Sequence, residues 1–130
     1  MNTVRVAAAM LIRGGKVFAA QRGCGAFKGL WEFPGGKIEE GEIPSAALAR
    51  ELKEELGITV STNGEEFSAE YDYPDFHLAM HCFPVYLHGE IPVISEHSDF
   101  RWLGADELES VNWLPADYTL LPRLKELLRK

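Results

Sequence analysis

Hydrophobic and polar residues alternate along several short stretches of the chain, a pattern typical of β-strands with at least one buried face. The first two stretches, Val4–Ile12 and Lys16–Gln21, are separated by Arg13-Gly14-Gly15, which favours a hairpin turn. A short extended piece at Leu30–Phe33 ends at Pro34-Gly35-Gly36. Further strands are predicted at Glu65–Tyr73, Phe76–His88 and Phe100–Leu103.

Two longer segments have helical spacing instead. Pro44 suits a first helical position and Gly57 a helix end, so they bracket a helix of about three turns. Ile43 is a poor N-cap, and something other than local propensity must therefore hold that end. Ala105–Leu108 predicts a helical turn, and Pro115–Leu128 predicts an amphipathic helix that buries Leu120, Leu121, Leu124, Leu127 and Leu128. These elements predict an α/β (α+β) fold, in which a mixed sheet has a helix on each face.

Length and composition indicate one globular domain, residues 1–130. Of the residues, 46% are hydrophobic and 25% charged, which does not favour disorder. No apolar run approaches the roughly 20 residues that cross a membrane, and the start of the chain lacks a small-residue cleavage signature. Cys24 and Cys82 lack CxxC spacing, which argues against zinc and favours a reduced, cytoplasmic setting.

The formal net charge of −7 restricts the partners. Duplex nucleic acid normally requires a basic surface, so we do not expect it to bind. The same charge repels a free nucleoside triphosphate. An acidic protein that acts on phosphates therefore needs metal ions or locally placed arginines.

A spaced pattern of glycine and acidic residues runs from Gly36 to Ile58. Glu42 follows Gly36 after five residues, and the predicted helix then contains Arg50, Glu51, Glu54 and Glu55 before Gly57. The last three glutamates stand at i, i+3 and i+4, on one side of a helix. They could form only a solvated acidic face, but their spacing to the glycine favours a metal site. Oxygen ligands favour a hard cation, Mg²⁺ first and Mn²⁺ second.

The residues around these glutamates suggest supporting roles. Gly35 and Gly36 have no side chains, so their backbone can approach the helix and offer a carbonyl to a metal or amides to a phosphate. Arg50 lies beside the carboxylates, and we expect it to orient Glu42 or a neighbouring glutamate through a bidentate pair. We group Arg50 with the catalytic residues in this orienting role.

The pattern resembles the Nudix box at every specified position. Flanking segments resemble the MutT-like nucleoside triphosphate pyrophosphohydrolases: Val6–Ile12, Ala20-Gln21-Arg22, Gly29–Lys37 and Trp113–Asp117. This resemblance implies a Nudix-like α/β/α sandwich around a mixed sheet. It also implies a Mg²⁺-dependent reaction in which water attacks the β-phosphorus of a nucleoside triphosphate, giving the monophosphate and pyrophosphate.

The resemblance also implies roles for single residues. The Gly35 carbonyl, Glu51, Glu54 and Glu55 are expected to hold metal, and Glu96, before the last predicted strand, to bind metal or take the proton from water. We expect Glu51 as general base, with Glu96 as the alternative. Arg22 matches an arginine that binds the phosphate tail. The segment that contains the glycines adds three candidate substrate-binding residues: Glu32, Phe33 and Lys37.

The nucleotide base is predicted from Asp117. Members that read 8-oxo-guanine have an asparagine in place of Asp117 and an arginine in place of Phe76. An ionised aspartate only accepts hydrogen bonds, which favours N4 of cytosine and disfavours O6 of guanine unless the carboxyl is protonated. Pro-Ala-Asp here resembles the CTP or dCTP pyrophosphohydrolase branch. Asp117 could instead stabilise the start of the last helix. Phe33, Tyr73 and Phe76 are candidates for stacking on the base.

Several alternatives stay open at this point. The substrate could be 8-oxo-dGTP, ADP-ribose or another nucleoside diphosphate derivative, and a role in clearing damaged nucleotides is not decided. A non-enzymatic binding module would be expected to lose the box glutamates, and all are present. The chain could be a monomer or a homodimer. The four histidines do not cluster in sequence, so we expect them to be structural or exposed: His77, His81, His88 and His97.

Overall fold

A mixed seven-stranded sheet organises the chain in the computed structural model, which describes residues 1–130. The strands are β1 (Asn2–Arg13), β2 (Lys16–Arg22), β3 (Trp31–Glu32), β4 (Gly35–Lys37), β5 (Phe67–Asp72), β6 (Phe76–Tyr86) and β7 (His97–Leu103). The main order is β3-β2-β1-β6-β5, with β4 paired to β1 and β7 to β2. Only β1 and β6 run parallel, and they pair along nearly the whole of β1.

Side chains that alternate along the central strands supply two separate cores. In β1, Ala8, Met10 and Ile12 face one core, whereas Ala7, Ala9 and Leu11 face the other. The second core is covered by helix α1 (Pro44–Leu56), through Ala47, Leu48, Leu52 and Leu56. The first is covered by the C-terminal helices α2 (Pro115–Tyr118) and α3 (Leu121–Leu128), which follow a 3₁₀-helix at Ala105–Ser110. The prediction of a mixed sheet with helices on both faces is confirmed.

The ends of α1 are also confirmed. Gly57 is its C-cap, and Ile43, its N-cap, makes no side-chain hydrogen bond. The entry to the helix is held instead by Glu42, whose carboxylate accepts hydrogen bonds from the Glu39 N–H at 3.0 Å and from the Arg50 side chain at 2.9 Å. A side chain two turns into the helix therefore stabilises its start.

The single C-terminal helix expected at Pro115–Leu128 is wrong, because the structure has two helices in this segment. The break falls at Thr119 and Leu120, just before Pro122. Proline has no N–H to donate, and its ring clashes with the carbonyl four residues earlier, here that of Tyr118. The expected leucines are nevertheless buried.

Two strand predictions also differ from the structure. We expected the extended piece at Leu30–Phe33 to end at Pro34-Gly35-Gly36, but Gly35–Lys37 form a further strand, β4, which pairs with Val6–Ala8 of β1. The last strand begins at His97 rather than Phe100, because β2 pairs with it as far as Arg22. No helix is both long and apolar enough to cross a membrane.

Candidate active site

A cavity of 460 Å³ lies between β1, the end of β2, β4, the flank of α1 and the segment 95–97. Its volume is in the range of pockets that bind small molecules. The cavity has an acidic end and an apolar end. It is lined by every site residue expected from the sequence except Arg50: Arg22, Glu32, Phe33, Gly35, Lys37, Glu51, Glu54, Glu55, Tyr73, Phe76, Glu96 and Asp117.

The acidic end depends on close contact between β4 and α1. A Cβ atom on Gly36 would lie 2.4 Å from the carboxylate of Glu51, so only glycine allows this approach. A Cβ on Gly35 would lie 2.0 Å from the Ala7 carbonyl oxygen of β1. The two glycines therefore bring strand, sheet and acidic helix together, as their lack of side chains suggested.

Arg50 lies behind the cavity and orients its carboxylates. Its Nε and NH2 donate to the two oxygens of Glu42 at 2.9 Å each, and its NH1 donates to Glu51 Oε1 at 2.8 Å. NH2 also donates to the Lys37 carbonyl at 3.1 Å. The Arg50 guanidinium, together with the Glu39 N–H, lowers the pKa of the Glu42 carboxyl to about 2. The expected bidentate pair is present.

The deepest carboxylate at this end is Glu55, whose side chain is 14% exposed. Burial raises the pKa of Glu55 to about 7, although the nearby His97 opposes the shift. Glu51 is 20% exposed, and Glu54, at 64%, faces solvent. The three glutamates thus share one flank but differ in their contact with water.

His97 is a residue of this site that the sequence prediction missed. Its side chain is only 5% exposed, and its Nε2 lies 3.0 Å from Glu32 Oε2 and 3.3 Å from Glu55 Oε1. Burial disfavours the charged imidazole, but the two carboxylates outweigh that effect and raise the pKa of His97. We expected all four histidines to be structural or exposed, and His97 differs because it lines the cavity. In the sequence, its position directly after Glu96 could have indicated that His97 belongs to the site.

The segment that contains Glu96 is attached to the C-terminal end of α1. The Ser95 hydroxyl donates to the Glu55 carbonyl at 3.1 Å, and the Val93 N–H donates to the Leu56 carbonyl at 3.0 Å. These bonds satisfy carbonyls that lack partners at a helix end. Glu96 is exposed at the rim of the cavity. Arg22 is next to this segment, because it pairs with His97 across β2 and β7, and its NH1 donates to Glu32 Oε1 at 3.0 Å.

The apolar end contains one buried charged side chain, Asp117, which is 4% exposed. Its Oδ2 accepts a hydrogen bond of 2.9 Å from the Phe33 N–H. Burial raises the pKa of Asp117 to about 8, and the Phe33 N–H only partly opposes this. Burial therefore favours the protonated form of this carboxyl near neutral pH. The sequence analysis left this case open, since O6 of guanine is disfavoured only while the carboxyl is ionised.

Aromatic side chains surround Asp117. Tyr73 and Phe76 stack with ring centroids 5.1 Å apart, and Phe33 packs on Trp113 at 4.8 Å. Tyr73 is buried, and its hydroxyl accepts a hydrogen bond of 3.2 Å from the Ala116 N–H. Phe76 is half-buried, so more of its ring is open to the cavity. Phe27, Leu78, Met80 and Leu114, which the sequence prediction did not include, complete this wall.

The chemistry of the acidic end fits a hard divalent cation. The residues that the sequence suggested as metal ligands all line this end and offer oxygen atoms: the carboxylates of Glu51, Glu54, Glu55 and Glu96 and the Gly35 carbonyl. No three acidic, histidine or cysteine side chains converge closely enough to form a ready-made cluster. Glu51 instead contacts Arg50, and Glu55 contacts His97. Each of these contacts uses one carboxylate oxygen, Oε1, which leaves Oε2 of Glu51 and of Glu55 for a cation.

The comparison with known proteins agrees with this geometry. The family description "NUDIX domain" matches residues 1–124. The chain belongs to the Nudix family. The glutamates on α1 and the glycines of β4 are its Nudix box, and the resemblance noted in the sequence is confirmed.

Relatives of this Nudix chain are named as hydrolases of nucleoside triphosphates. It is 36% identical over 123 residues to the CTP pyrophosphohydrolase of Escherichia coli (strain K12), covering 93% of this chain and 90% of that protein. It is also 36% identical over 96 residues to the 8-oxo-dGTP diphosphatase of the same organism, covering 74% of each. The solution structure of the E. coli ORF135 protein matches with a TM-score of 0.84 and 34% identity, covering 99% of this chain and 92% of that one. The chain is an enzyme of the Nudix hydrolase family.

Proposed function

We propose that this Nudix chain is a Mg²⁺-dependent pyrophosphohydrolase that converts a nucleoside triphosphate and water to the monophosphate and pyrophosphate, with (d)CTP or a 5-substituted dCTP as preferred substrate. The supporting observation is one cavity that combines an acidic end at α1 with an apolar end around a buried carboxyl. The first suits the metal-bound phosphates and the second suits a base. A relative named CTP pyrophosphohydrolase agrees with this substrate class.

The residues of the chain have separate tasks in this reaction. Glu51, Glu54, Glu55, Glu96 and the Gly35 carbonyl would hold the metal, which neutralises phosphate charge and makes a bound water more acidic. Arg22 and Lys37 line the cavity, and we assign them to binding of the phosphate tail. Arg50 keeps Glu42 and Glu51 in place.

We assign Glu51 as the general base, with Glu96 as the alternative. Glu51 accepts a hydrogen bond from the Arg50 NH1 at 2.8 Å, and its carboxylate lies so close to Gly36 that an added Cβ there would be 2.4 Å away. A fixed carboxylate can accept a proton in a defined direction, as general-base catalysis requires. Glu96 is exposed at the rim and has no hydrogen-bonding partner, so it is less constrained. Comparison of Glu51→Gln with Glu96→Gln in single-turnover assays tests this assignment.

A second candidate substrate is 8-oxo-dGTP, and the burial of Asp117 favours it. Asp117 Oδ2 already accepts from the Phe33 N–H, which leaves Oδ1 for a base. An ionised Oδ1 only accepts, which suits the exocyclic amino group of cytosine. A protonated Oδ1 donates, which suits the O6 of an oxo-purine. A relative named 8-oxo-dGTP diphosphatase agrees with this candidate.

A panel of triphosphates with Mg²⁺, scored for pyrophosphate against phosphate release, tests the reaction. We expect pyrophosphate from the preferred triphosphate and little turnover of ADP-ribose. Release of phosphate alone, or turnover of ADP-ribose but no triphosphate, would refute the proposal. Strong preference for 8-oxo-dGTP over (d)CTP at every pH would replace the first substrate by the second.

The raised pKa of the Asp117 carboxyl predicts that the choice between substrates depends on pH. Because its pKa is about 8, the ratio of kcat/KM for dCTP to that for 8-oxo-dGTP should rise as pH increases from 6.5 to 9. A ratio of two substrates cancels pH effects on the shared phosphate chemistry. In Asp117→Asn, which does not titrate, the ratio should keep only the pH dependence of the bases themselves. Equal pH profiles in both proteins would mean that Asp117 does not read the base.

A further inference from the structure

His97 makes contacts that the reaction described above does not yet use. Both polar neighbours of its Nε2 are carboxylates: Glu32 on β3, at 3.0 Å, and Glu55 on α1, at 3.3 Å. A carboxylate oxygen accepts hydrogen bonds, so in the contact with Glu32 Oε2 the proton is on Nε2, which donates it. Nδ1 is buried and has no hydrogen-bonding partner, so all polar contacts of the ring are on the Nε2 side.

The backbone around His97 has an irregularity that places it. The pairing of β2 with β7 shifts register between Gln21 and Arg22, and His97 is the partner of Arg22 at that point. A bulge of this kind changes the direction of a side chain and is frequent beside active sites. The imidazole is consequently 5% exposed, although its neighbours Glu96 and Ser98 are exposed.

The contacts of His97 connect the two sides of the candidate site. Glu32 uses one oxygen for His97 and the other for the Arg22 NH1, at 3.0 Å. Two hydrogen bonds and one ionic contact thus connect the arginine assigned to the phosphate tail with the most buried glutamate of α1. Without a donor between them, Glu32 and Glu55 would face each other as like charges, 18% and 14% exposed.

We propose that His97 is a positioning residue, which holds Glu55 toward the metal and Glu32 toward Arg22 through one Nε2–H donor. This role rests on the proposed function of the cavity, because it assigns Glu55 to metal binding and Arg22 to phosphate binding. His97 itself need not contact the substrate. Residues that support metal ligands in this way typically contribute about 10- to 100-fold in metal affinity or activity.

Three variants separate positioning from simple packing. His97→Leu fills similar space without a donor, and His97→Gln keeps an amide N–H near the Nε2 position. His81→Leu is the matched control, because His81 also pairs with a carboxylate, Glu66 at 2.8 Å, but does not line the cavity. Each protein is measured for thermal unfolding, for Mn²⁺ affinity by electron paramagnetic resonance without nucleotide, and for kcat and KM.

We expect His97→Leu to weaken Mn²⁺ binding by about 10-fold and to lower kcat by about 10- to 100-fold while it remains folded. KM should also rise, since Arg22 loses the support of Glu32. His97→Gln should recover most of the Mn²⁺ affinity and kcat, and His81→Leu should match the unmodified protein. Wild-type Mn²⁺ affinity and kcat in His97→Leu would overturn the proposal, as would equal losses in the Leu and Gln variants.

The Mn²⁺ measurement also keeps this proposal distinct from the proposed function. If the unmodified chain hydrolyses no triphosphate, the proposed function fails, but the order of Mn²⁺ affinities still tests the role of His97. If triphosphates are hydrolysed and the affinities are unchanged among the variants, only the role of His97 fails.

Discussion

At the scale of single residues, burial raises the pKa of two carboxyl groups that have different roles in the candidate site. Glu55 is among the candidate metal ligands, and its raised pKa of about 7 reflects the difficulty of keeping a charge there without a positive partner. Asp117 is more deeply buried, and burial raises its pKa to about 8, which favours a neutral carboxyl near physiological pH. In both groups burial disfavours the charged form. A cation beside Glu55 would stabilise its charge, whereas a protonated Asp117 can donate a hydrogen bond to a base.

The raised pKa of Asp117 predicts how stability depends on pH. Between its ordinary value of 3.8 and its folded value of about 8, the folded protein retains a proton that the unfolded chain releases. The contribution of Asp117 to the free energy of unfolding is thus fully present below pH 4 and is lost as pH rises through 8. Relative to the unmodified protein, Asp117→Asn should gain up to about 1.4 kcal/mol in free energy of unfolding per pH unit in that window.

Urea unfolding at pH 5, 6.5 and 8 measures this difference. Asp75→Asn is a suitable control, since Asp75 is exposed and should show no such trend. If the stability of Asp117→Asn and of the unmodified protein changed in parallel with pH, Asp117 would have to be ionised in the folded protein.

At the scale of elements, the site depends on how closely β4 approaches α1 and β1. Gly36 faces the flexible end of the Glu51 side chain, whereas Gly35 faces the backbone of Ala7 and Ala8. A side chain can move aside, but paired backbone cannot move without breaking the sheet. The two adjacent glycines should therefore respond differently to the same substitution.

We expect Gly36→Ala to remain folded and to lose activity by about 10- to 100-fold, because the new methyl group displaces Glu51. Gly35→Ala should reduce the free energy of unfolding by about 1–3 kcal/mol, because its methyl group would lie 2.0 Å from the Ala7 carbonyl oxygen. Thermal unfolding and kcat of both variants check this. Normal kcat in Gly36→Ala, or normal stability in Gly35→Ala, would contradict the contact that each glycine makes.

Element prediction from the sequence was successful where local signals were sufficient. Pro44 and Gly57 bracket α1 in the structure, as their backbone preferences suggested. The C-terminal segment was predicted as one helix from the spacing of its leucines. That prediction did not take account of Pro122, before which the helix is broken. β4 was missed because Gly35 and Gly36 have no intrinsic preference for a strand, and pairing with β1 is what forms it.

At the scale of the whole molecule, the chain combines a net charge of −7 with four carboxylates at one end of a cavity. The negative charge concentrated there favours binding of a divalent cation. Folding brings these carboxylates together, so we expect the cation to bind the folded chain and not the unfolded one. Mg²⁺ should therefore raise the midpoint of thermal unfolding, by an amount that grows with its concentration. At about 100 times its Kd the stabilisation would be about 2.7 kcal/mol.

Glu55→Gln should reduce this stabilisation and lower kcat by more than the roughly 10- to 100-fold typical of a residue that only supports a metal ligand. Titration of the thermal midpoint with Mg²⁺ at constant ionic strength separates specific binding from screening. Chelation with EDTA should reverse the effect. Glu126→Gln, on the exposed side of α3, is the control. An equal response to Mg²⁺ in Glu55→Gln and the unmodified chain would remove Glu55 from the metal site.

The sequence by itself determined the family, the acidic helix, the mixed sheet and twelve of the 25 residues that line the cavity. These features depend on local spacing: i, i+3, i+4 for the glutamates, and alternation for the strands. Only the tertiary structure brought Glu32, Glu55 and His97 to one point, because they belong to three elements far apart in the chain. It also raised the pKa of Asp117, since the pKa of a carboxyl depends on the surroundings that fold around it.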